Sequence, residues 1–384
     1  METHTQLHLI RQQRGIPAAQ LAKLTGVTRQ TIYAIEAGDY VPNTSVALQM
    51  AQILEVRVED LFQLKTDHPP SPPVTVDLLG DSRNDRKGQP VQLCRVGKRM
   101  IGVSANPQPL TLPLADGVIV ESPKRARQAA SEAVHGSLHQ AKVRVFQNDE
   151  MEGKRLLIAG CDPGISLLAQ HLARFDDVDL VVAPSSSQQA LDWLKSGSVH
   201  IAGSHLRDSS SGEYNLPAIK RLFPHGAVKV VTFAIWEQGL VLQTGNPKNI
   251  QSAADLARKD VRIVNREKGA GSRELLDQQL KAAGVATSLV NGYGHIANGH
   301  LPAALAVSLG EADCCVATRS AAQAFGLSFL PLSTERYDLV IHKHHVRMPA
   351  VQALLDVLNR AAVRRKLELL AGYDTSHTGE VLVT

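Results

Sequence analysis

The chain has 384 residues, of which 43% are hydrophobic and 20% charged, and its formal net charge is +4. That is the balance of a globular protein with room for two to four domains, each with its own core. No run of eighteen apolar residues is present, which excludes a membrane span. The polar N-terminus does not read as a signal peptide, so a cytoplasmic location is expected.

Residues Gln6 to Gly15 read as a short helix stopped by a glycine able to take the left-handed conformation. Pro17 to Thr25 reads as a second helix, with Gly26 turning the chain into a third, Thr28 to Ala37, which Thr28 can cap. Ile32 and Ile35 fall on its apolar side and Arg29, Gln30 and Tyr33 on the other; Asn43 to Leu54 and Val58 to Phe62 add two closing helices. The run Leu21-Ala22, Gly26-Val27-Thr28-Arg29-Gln30-Thr31-Ile32, Ile35-Glu36-Ala37-Gly38, Pro42 and Val58-Glu59-Asp60-Leu61-Phe62 resembles the lambda-repressor/Cro-like (XRE) helix-turn-helix family. The resemblance implies that Thr28, Arg29, Gln30, Thr31 and Tyr33 lie on a recognition helix in the major groove of operator DNA. There arginine and glutamine pair with guanine and adenine edges. Residues 1–67 carry six positive and seven negative side chains, a net of −1. One such head neutralises few phosphates, so double-stranded DNA should be bound by a homodimer or higher homo-oligomer.

Residues 67–73, Asp-His-Pro-Pro-Ser-Pro-Pro, read as a semi-rigid spacer that closes the first domain, 1–66. From 74 to 150, short β-leaning pieces such as Pro90 to Val96 and Gly117 to Val120 suggest a small β-rich connecting module. Its basic cluster Lys124-Arg125-Ala126-Arg127 reads as a solvated helix start rather than a DNA contact.

From 151 to 384 the pattern changes to alternating strands and helices, which predicts a parallel, doubly wound α/β layer. Strands are expected at Leu156–Gly160, Val178–Ala183, Val199–Ala202, Val228–Phe233, Gly239–Leu242, Val261–Val264, Asp313–Val316, Phe329–Leu330 and Tyr337–Ile341. Helices are expected at Ile165–Arg174, Gln188–Ser196, Ser272–Ala283 and Ala350–Leu370. In such a layer the loops at the carboxyl ends of strands bind ligand. Two of these loops, Pro184 to Ser187 and Asn265 to Arg273, are rich in serine or glycine and open directly into helices, a natural oxyanion cradle.

Ala159-Gly160-Cys161-Asp162-Pro163, His200 to Leu206, Gly212-Glu213-Tyr214-Asn215, Val264-Asn265-Arg266-Glu267, Gly271-Ser272-Arg273 and Glu335 to Leu339 resemble periplasmic-binding-protein-like (type 2) domains. The nearest pattern is the group related to molybdate-binding proteins. The fold class implied is multidomain: an all-α head, a β-rich connector and a two-lobed α/β sensor. The implied ligand set is Cys161, Asp162, Ser185, Ser186, Ser187, Ser204, His205, Arg266, Gly271, Ser272 and Arg273, around a small oxyanion such as molybdate or tungstate.

No catalytic residue, cofactor or metal site is expected. Cys161 has no histidine and acid partner identifiable from sequence, and all four cysteines, Cys94, Cys161, Cys314 and Cys315, read as buried small hydrophobes. His342, His344 and His345 read as a solvated strand end. The leading function is a ligand-responsive one-component transcription regulator. Its rivals are an enzyme or cofactor-handling domain of molybdenum cofactor metabolism with a DNA-binding head, and a ligand-independent scaffold that uses the α/β part to oligomerise.

Overall fold

The computed structural model describes residues 3–64, 72–80, 85–105, 114–121, 138–146, 154–208, 210–369 and 372–382. Most of the proline-rich spacer and the basic cluster Lys124 to Arg127 lie outside the described residues. The chain divides into two compact units, Met1–Pro72 and Pro73–Thr384.

In the first unit, β1 (Thr3–Thr5) precedes α1 (Leu7–Gln13), α2 (Ala18–Thr25), α3 (Arg29–Ala37), α4 (Thr44–Leu54) and α5 (Val58–Leu61), and β2 (Phe62–Leu64) follows. Thr28 caps α3 by accepting from the Thr31 N–H at 3.1 Å, and Gly26 (φ 68°) ends α2 in the left-handed conformation. Leu7, Leu21, Ile32, Ile35, Met50, Leu54 and Leu61 meet in one core, each burial worth about 1.5–3 kcal/mol. Arg11 is buried against it because Glu36 accepts its Nε–H at 2.6 Å and the Ile16 carbonyl accepts from Nη1 at 2.9 Å. The antiparallel pairing of β1 with β2 was not anticipated, since Thr3-His4-Thr5 has no apolar alternation and its partner lies at the far end of the unit.

The second unit opens with β3 (Val74–Leu79), β4 (Pro90–Val96), β5 (Arg99–Ser104), β6 (Gly117–Glu121) and β7 (His139–Val145). They close into a barrel in the order β3-β5-β4-β6-β7, filled by Val76, Leu78, Val91, Leu93, Ile119 and Val143. Leu79, Cys94, Val96, Ile101 and Val103 leave the barrel wall to join the core of the next domain. Arg155 fixes this joint, donating to the Leu93 carbonyl at 2.7 Å and pairing with Asp116 and Asp179.

The remaining chain contains β8 (Arg155–Gly160), α6 (Ile165–Phe175), β9 (Asp179–Pro184), α7 (Ser187–Lys195), β10 (Ile201–Ser204), α8 (Leu216–Leu222) and β11 (Val228–Leu242). There follow β12 (Asn265–Arg266), α9 (Gly271–Ala282), β13 (Ile296–Ala297), α10 (His300–Ser308), β14 (Cys314–Thr318), α11 (Arg319–Ala324) and β15 (Ser328–His342). The chain ends in α12 (Lys343–Val346), α13 (Pro349–Asn359), α14 (Ala361–Glu368), β16 (Tyr373–Asp374) and β17 (Val381–Leu382). One sheet runs β14-β11-β15-β10-β8-β9, with β16 and β17 paired to β11.

Several expectations are corrected here. The sheet is mixed: β8 pairs parallel with β9 and β10, whereas β11 and β15 run antiparallel to each other and to their outer neighbours. The four separate strands expected around Val228–Leu242 and Phe329–Ile341 are two continuous fifteen-residue strands. Their register shifts between Gln238 and Gly239, where a side chain on Gly239 would meet the Leu330 carbonyl at 2.1 Å. These two strands traverse both lobes. The first lobe packs around β8, β9 and β10, and the second around β14, α9, α10 and the far halves of the long strands. The strand expected at Val261–Val264 is displaced to Asn265–Arg266, with only Ile263 bridging Cys314. The single C-terminal helix expected from Ala350 is broken at Arg360, whose backbone is extended (ψ 122°) while Asp176 accepts from both its Nη atoms at 2.9 and 2.6 Å.

Candidate functional site

The start of α3 presents one polar face. Arg29 and Gln30 are exposed, and Arg29 donates from Nη2 to the Tyr33 hydroxyl at 2.8 Å with its guanidinium 5.3 Å from the ring centre. Thr28 and Thr31 hydroxyls are 2.8 Å apart at the same end. All five expected DNA-contacting residues therefore share one helix end, with Ile32 and Ile35 anchoring it from behind.

The second site lies where the lobes meet. The loop Pro184 to Ser187 belongs to the first lobe and the loop before α9 to the second. They touch: a side chain on Gly269 would lie 3.4 Å from Ser186 Oγ. The expected residues divide by what their side chains already hold. Ser186 caps α7 through the Gln189 N–H, Ser187 Oγ accepts from the His205 N–H at 3.1 Å, and Ser204 donates to Asn215 Oδ1 at 2.8 Å. Gly271 gives room to the His205 ring, since a β-carbon there would sit 2.5 Å from its Cε1. Arg273 turns away, donating to the Arg266 carbonyl at 3.1 Å and covering the Tyr293 ring; it shapes the loop that carries Arg266.

Among the described residues, the buried polar atoms of the lobes without a hydrogen-bond partner include Ser185 Oγ, Ser272 Oγ, Arg266 Nη1 and His300 Nδ1, and also Trp236 Nε1 and Tyr337 Oη beside His205. Arg266 is 1% exposed, Glu267 accepts from its Nε and Nη2 at 2.9 and 3.0 Å, and the guanidinium also lies against Cys161, with no oxygen acceptor at Nη1. Burial lowers the Arg266 pKa, but Glu267 and Cys161 outweigh that and keep it raised. Ser185 precedes α7 and Ser272 sits in the first turn of α9, so helix N–H groups lie beside the free hydroxyls. A cavity of about 140 Å³ is lined from both lobes by residues that include Gln188, Leu206, Arg207, Asp208, Arg221 and Glu274 and none of these donors. Ser185, Arg266 and Ser272 are themselves buried.

Cys161 has the histidine partners that could not be found in sequence. Its Sγ lies 3.5 Å from His205 Nε2 and 3.6 Å from His300 Nε2. Behind His205, Glu335 Oε2 accepts from Nδ1 at 2.8 Å and from the Gln238 amide at 2.5 Å. Burial alone would lower the His205 pKa, but Cys161 and the Glu335 carboxylate reverse this and lift it to about 10. Burial, with Arg266 and His205 nearby, pushes the His300 pKa well below the ordinary histidine value. Asp162 is 5% exposed, and burial lifts it to about 7 although Gly164 N–H and the Tyr373 hydroxyl donate to its Oδ1 at 2.6 Å each. His300, Glu335 and Gln238 were missed as site residues because they arrive singly, from a helix start and from the middles of the two long strands. The tandem Cys314-Cys315 is core, as expected, and His342 stacks on His344 at the end of β15 with a centroid distance of 4.7 Å.

Among the described residues no helix is long and apolar enough to cross a membrane. Residues 7–61 match the helix-turn-helix family and residues 169–359 the PBP superfamily domain. The uncharacterized protein YvgK of Bacillus subtilis is 36% identical over 238 residues, covering 62% of this chain and 77% of YvgK. The uncharacterized HTH-type transcriptional regulator YgzD of Bacillus subtilis is 39% identical over 59 residues, 15% of this chain and 89% of YgzD. A putative phosphate ABC transporter substrate-binding protein from Clostridium perfringens overlays 57% of this chain and 99% of its own, with a TM-score of 0.43 and 14% identity, a likeness too slight to carry a ligand across. With its N-terminal helices and its two-lobed domain both matched, the chain belongs to the XRE-type helix-turn-helix proteins that carry a PBP superfamily substrate-binding domain.

Proposed function

We propose that the protein is a one-component transcription regulator that encloses a compact oxyanion between its lobes and thereby changes its affinity for operator DNA. The observation that carries the reading is the set of buried, unpartnered donors from both lobes: Ser185 Oγ and Ser272 Oγ at two helix starts, and Arg266 Nη1 on β12. Buried donors without partners cost free energy unless a ligand accepts from them, and a helix N-terminus favours an anion. Molybdate and tungstate are the first candidates, because a compact tetrahedral anion offers several acceptor oxygens to donors of this kind. DNA is engaged through Arg29 and Gln30, by two chains on an inverted repeat whose half-sites lie about 34 Å apart. No turnover is expected. The ligand acts only through its differential affinity for the open and closed lobes.

Calorimetric titration of the purified protein with molybdate, tungstate, sulfate and phosphate tests the reading. Saturable binding of one anion per chain, lost when Ser272 and Arg266 are substituted, is expected. Binding of a neutral metabolite in preference to every anion would refute the oxyanion assignment.

A further inference from the structure

The donors proposed for the anion do not use the sulfur and the two ring nitrogens that converge beside them. Cys161 Sγ, His205 Nε2 and His300 Nε2 lie within 4.8 Å of one another, and the sulfur sits 3.5 and 3.6 Å from the two nitrogens. Bonds of about 2.3 Å to sulfur and 2.0–2.1 Å to nitrogen, opened to a tetrahedral angle, place those atoms about 3.5 Å apart. Glu335 holds the other nitrogen of His205 at 2.8 Å, the arrangement that fixes the tautomer and orientation of a ligating imidazole. Both side chains are almost fully buried, at 1% and 6% exposure.

We propose that Cys161, His205 and His300 form a binding site for a thiophilic metal ion of the Zn²⁺ kind, which ties the two lobes together when they close. Cys161 and His205 directly follow β8 and β10 of the first lobe, and His300 begins α10 of the second, so the ion would bridge the two lobes. Thiolate with imidazole selects zinc over hard cations such as Mg²⁺. The charges balance. Glu267 already matches Arg266, and a Cys161 thiolate with the Glu335 carboxylate matches a dication, the protons held by the Cys161–His205 pair leaving as the ion enters. A nucleophilic thiol would need one base and an open approach; that reading leaves His300 without a part, whereas coordination uses it. Three protein ligands leave a fourth position open.

The test uses the full-length protein, stripped with a chelator and kept free of oxyanions. Zn²⁺ is titrated in competition with a chromophoric chelator, and Co²⁺ is added as an optical probe. One ion per chain is expected, with an intense near-ultraviolet thiolate-to-cobalt absorption. Cys161→Ser should abolish that band and weaken zinc binding by at least about a hundredfold, and Glu335→Gln should weaken it by about 10–100-fold. Cys94→Ser, a thiol remote from the cluster, should bind as the parent does. His300→Gln, which deletes the ligand of the second lobe, is the second variant should Cys161→Ser fail to fold; it should lose affinity comparably. Absence of stoichiometric zinc binding overturns the proposal. So does binding that survives Cys161→Ser and disappears with His342→Ala and His344→Ala, since that places the ion on the histidines at the end of β15. The oxyanion titration is a separate measurement, so failure of one reading leaves the other standing.

Discussion

Asp162 offers a sharp test of how burial sets the electrostatics of the site. Its Oδ1 accepts from Gly164 N–H and the Tyr373 hydroxyl, and its Oδ2 has no partner. Burial lifts its pKa from the ordinary value to about 7. Between about pH 4 and pH 7 the native protein therefore keeps a proton that the unfolded chain has released, so the second unit loses stability as pH rises through that window. Below about pH 4 and above about pH 7 the contribution is flat. A shift of about three units at about 1.4 kcal/mol each sets a ceiling near 4 kcal/mol, which relaxation of the cleft will reduce. Asparagine keeps the Oδ1 acceptor and never ionises. Asp162→Asn should thus match the parent near pH 4 and exceed it by about 2–4 kcal/mol near pH 8. Urea unfolding followed by tryptophan fluorescence reads this unit alone, because both tryptophans, Trp193 and Trp236, lie in it. A difference between the two proteins that stays constant with pH would show that Asp162 ionises as an ordinary carboxyl does, and the burial argument would fail.

Arg29→Ala and Gln30→Ala should each cost about 1–3 kcal/mol at a cognate base pair and relax specificity there; quantitative footprinting with operator variants checks it, and an unchanged footprint in both would remove α3 from the groove. Arg266→Lys, which deletes the unpartnered Nη1, should weaken oxyanion binding by at least about tenfold, since a charged hydrogen bond contributes about 1.5–3 kcal/mol; calorimetry reads it directly. Arg273→Ala should act more weakly, because its guanidinium supports the Arg266 carbonyl instead of facing the cleft.

The first unit was legible because its information is local. Apolar residues at helical spacing, the cap at Thr28 and the glycines that end α2 and α3 each act within a few residues of themselves. The second unit was legible as alternating strands and helices but not as two through-going strands. Their middles carry Glu237 and Gln238 in β11 and Ser333, Thr334, Glu335 and Arg336 in β15, polar residues that interrupt the apolar pattern of a buried strand. The barrel closure was illegible for a related reason: β3 finds its partners in β5 and β7, not in its sequence neighbour β4. Within the site, the serine- and glycine-rich loops announced themselves by composition. His205 was picked from its loop position, but its partners Glu335 and Gln238, like His300 beside Cys161, are single residues joined only by the fold. Arg360 broke the last helix through a contact with Asp176, which no helical period in residues 350–370 encodes.

The central claim is that occupation of the cleft is coupled to DNA binding, and one measurement addresses it most directly. A DNA fragment selected by the protein from a random pool is titrated with full-length protein at fixed salt, without anion and at saturating molybdate or tungstate, for the parent and for Arg266→Lys. The account expects DNA affinity to change by about 5–150-fold on saturation, and at the anion concentration that half-saturates the parent the Arg266→Lys protein should show almost none of that change. An operator affinity that is identical with and without the anion, while calorimetry shows the anion bound, would contradict it.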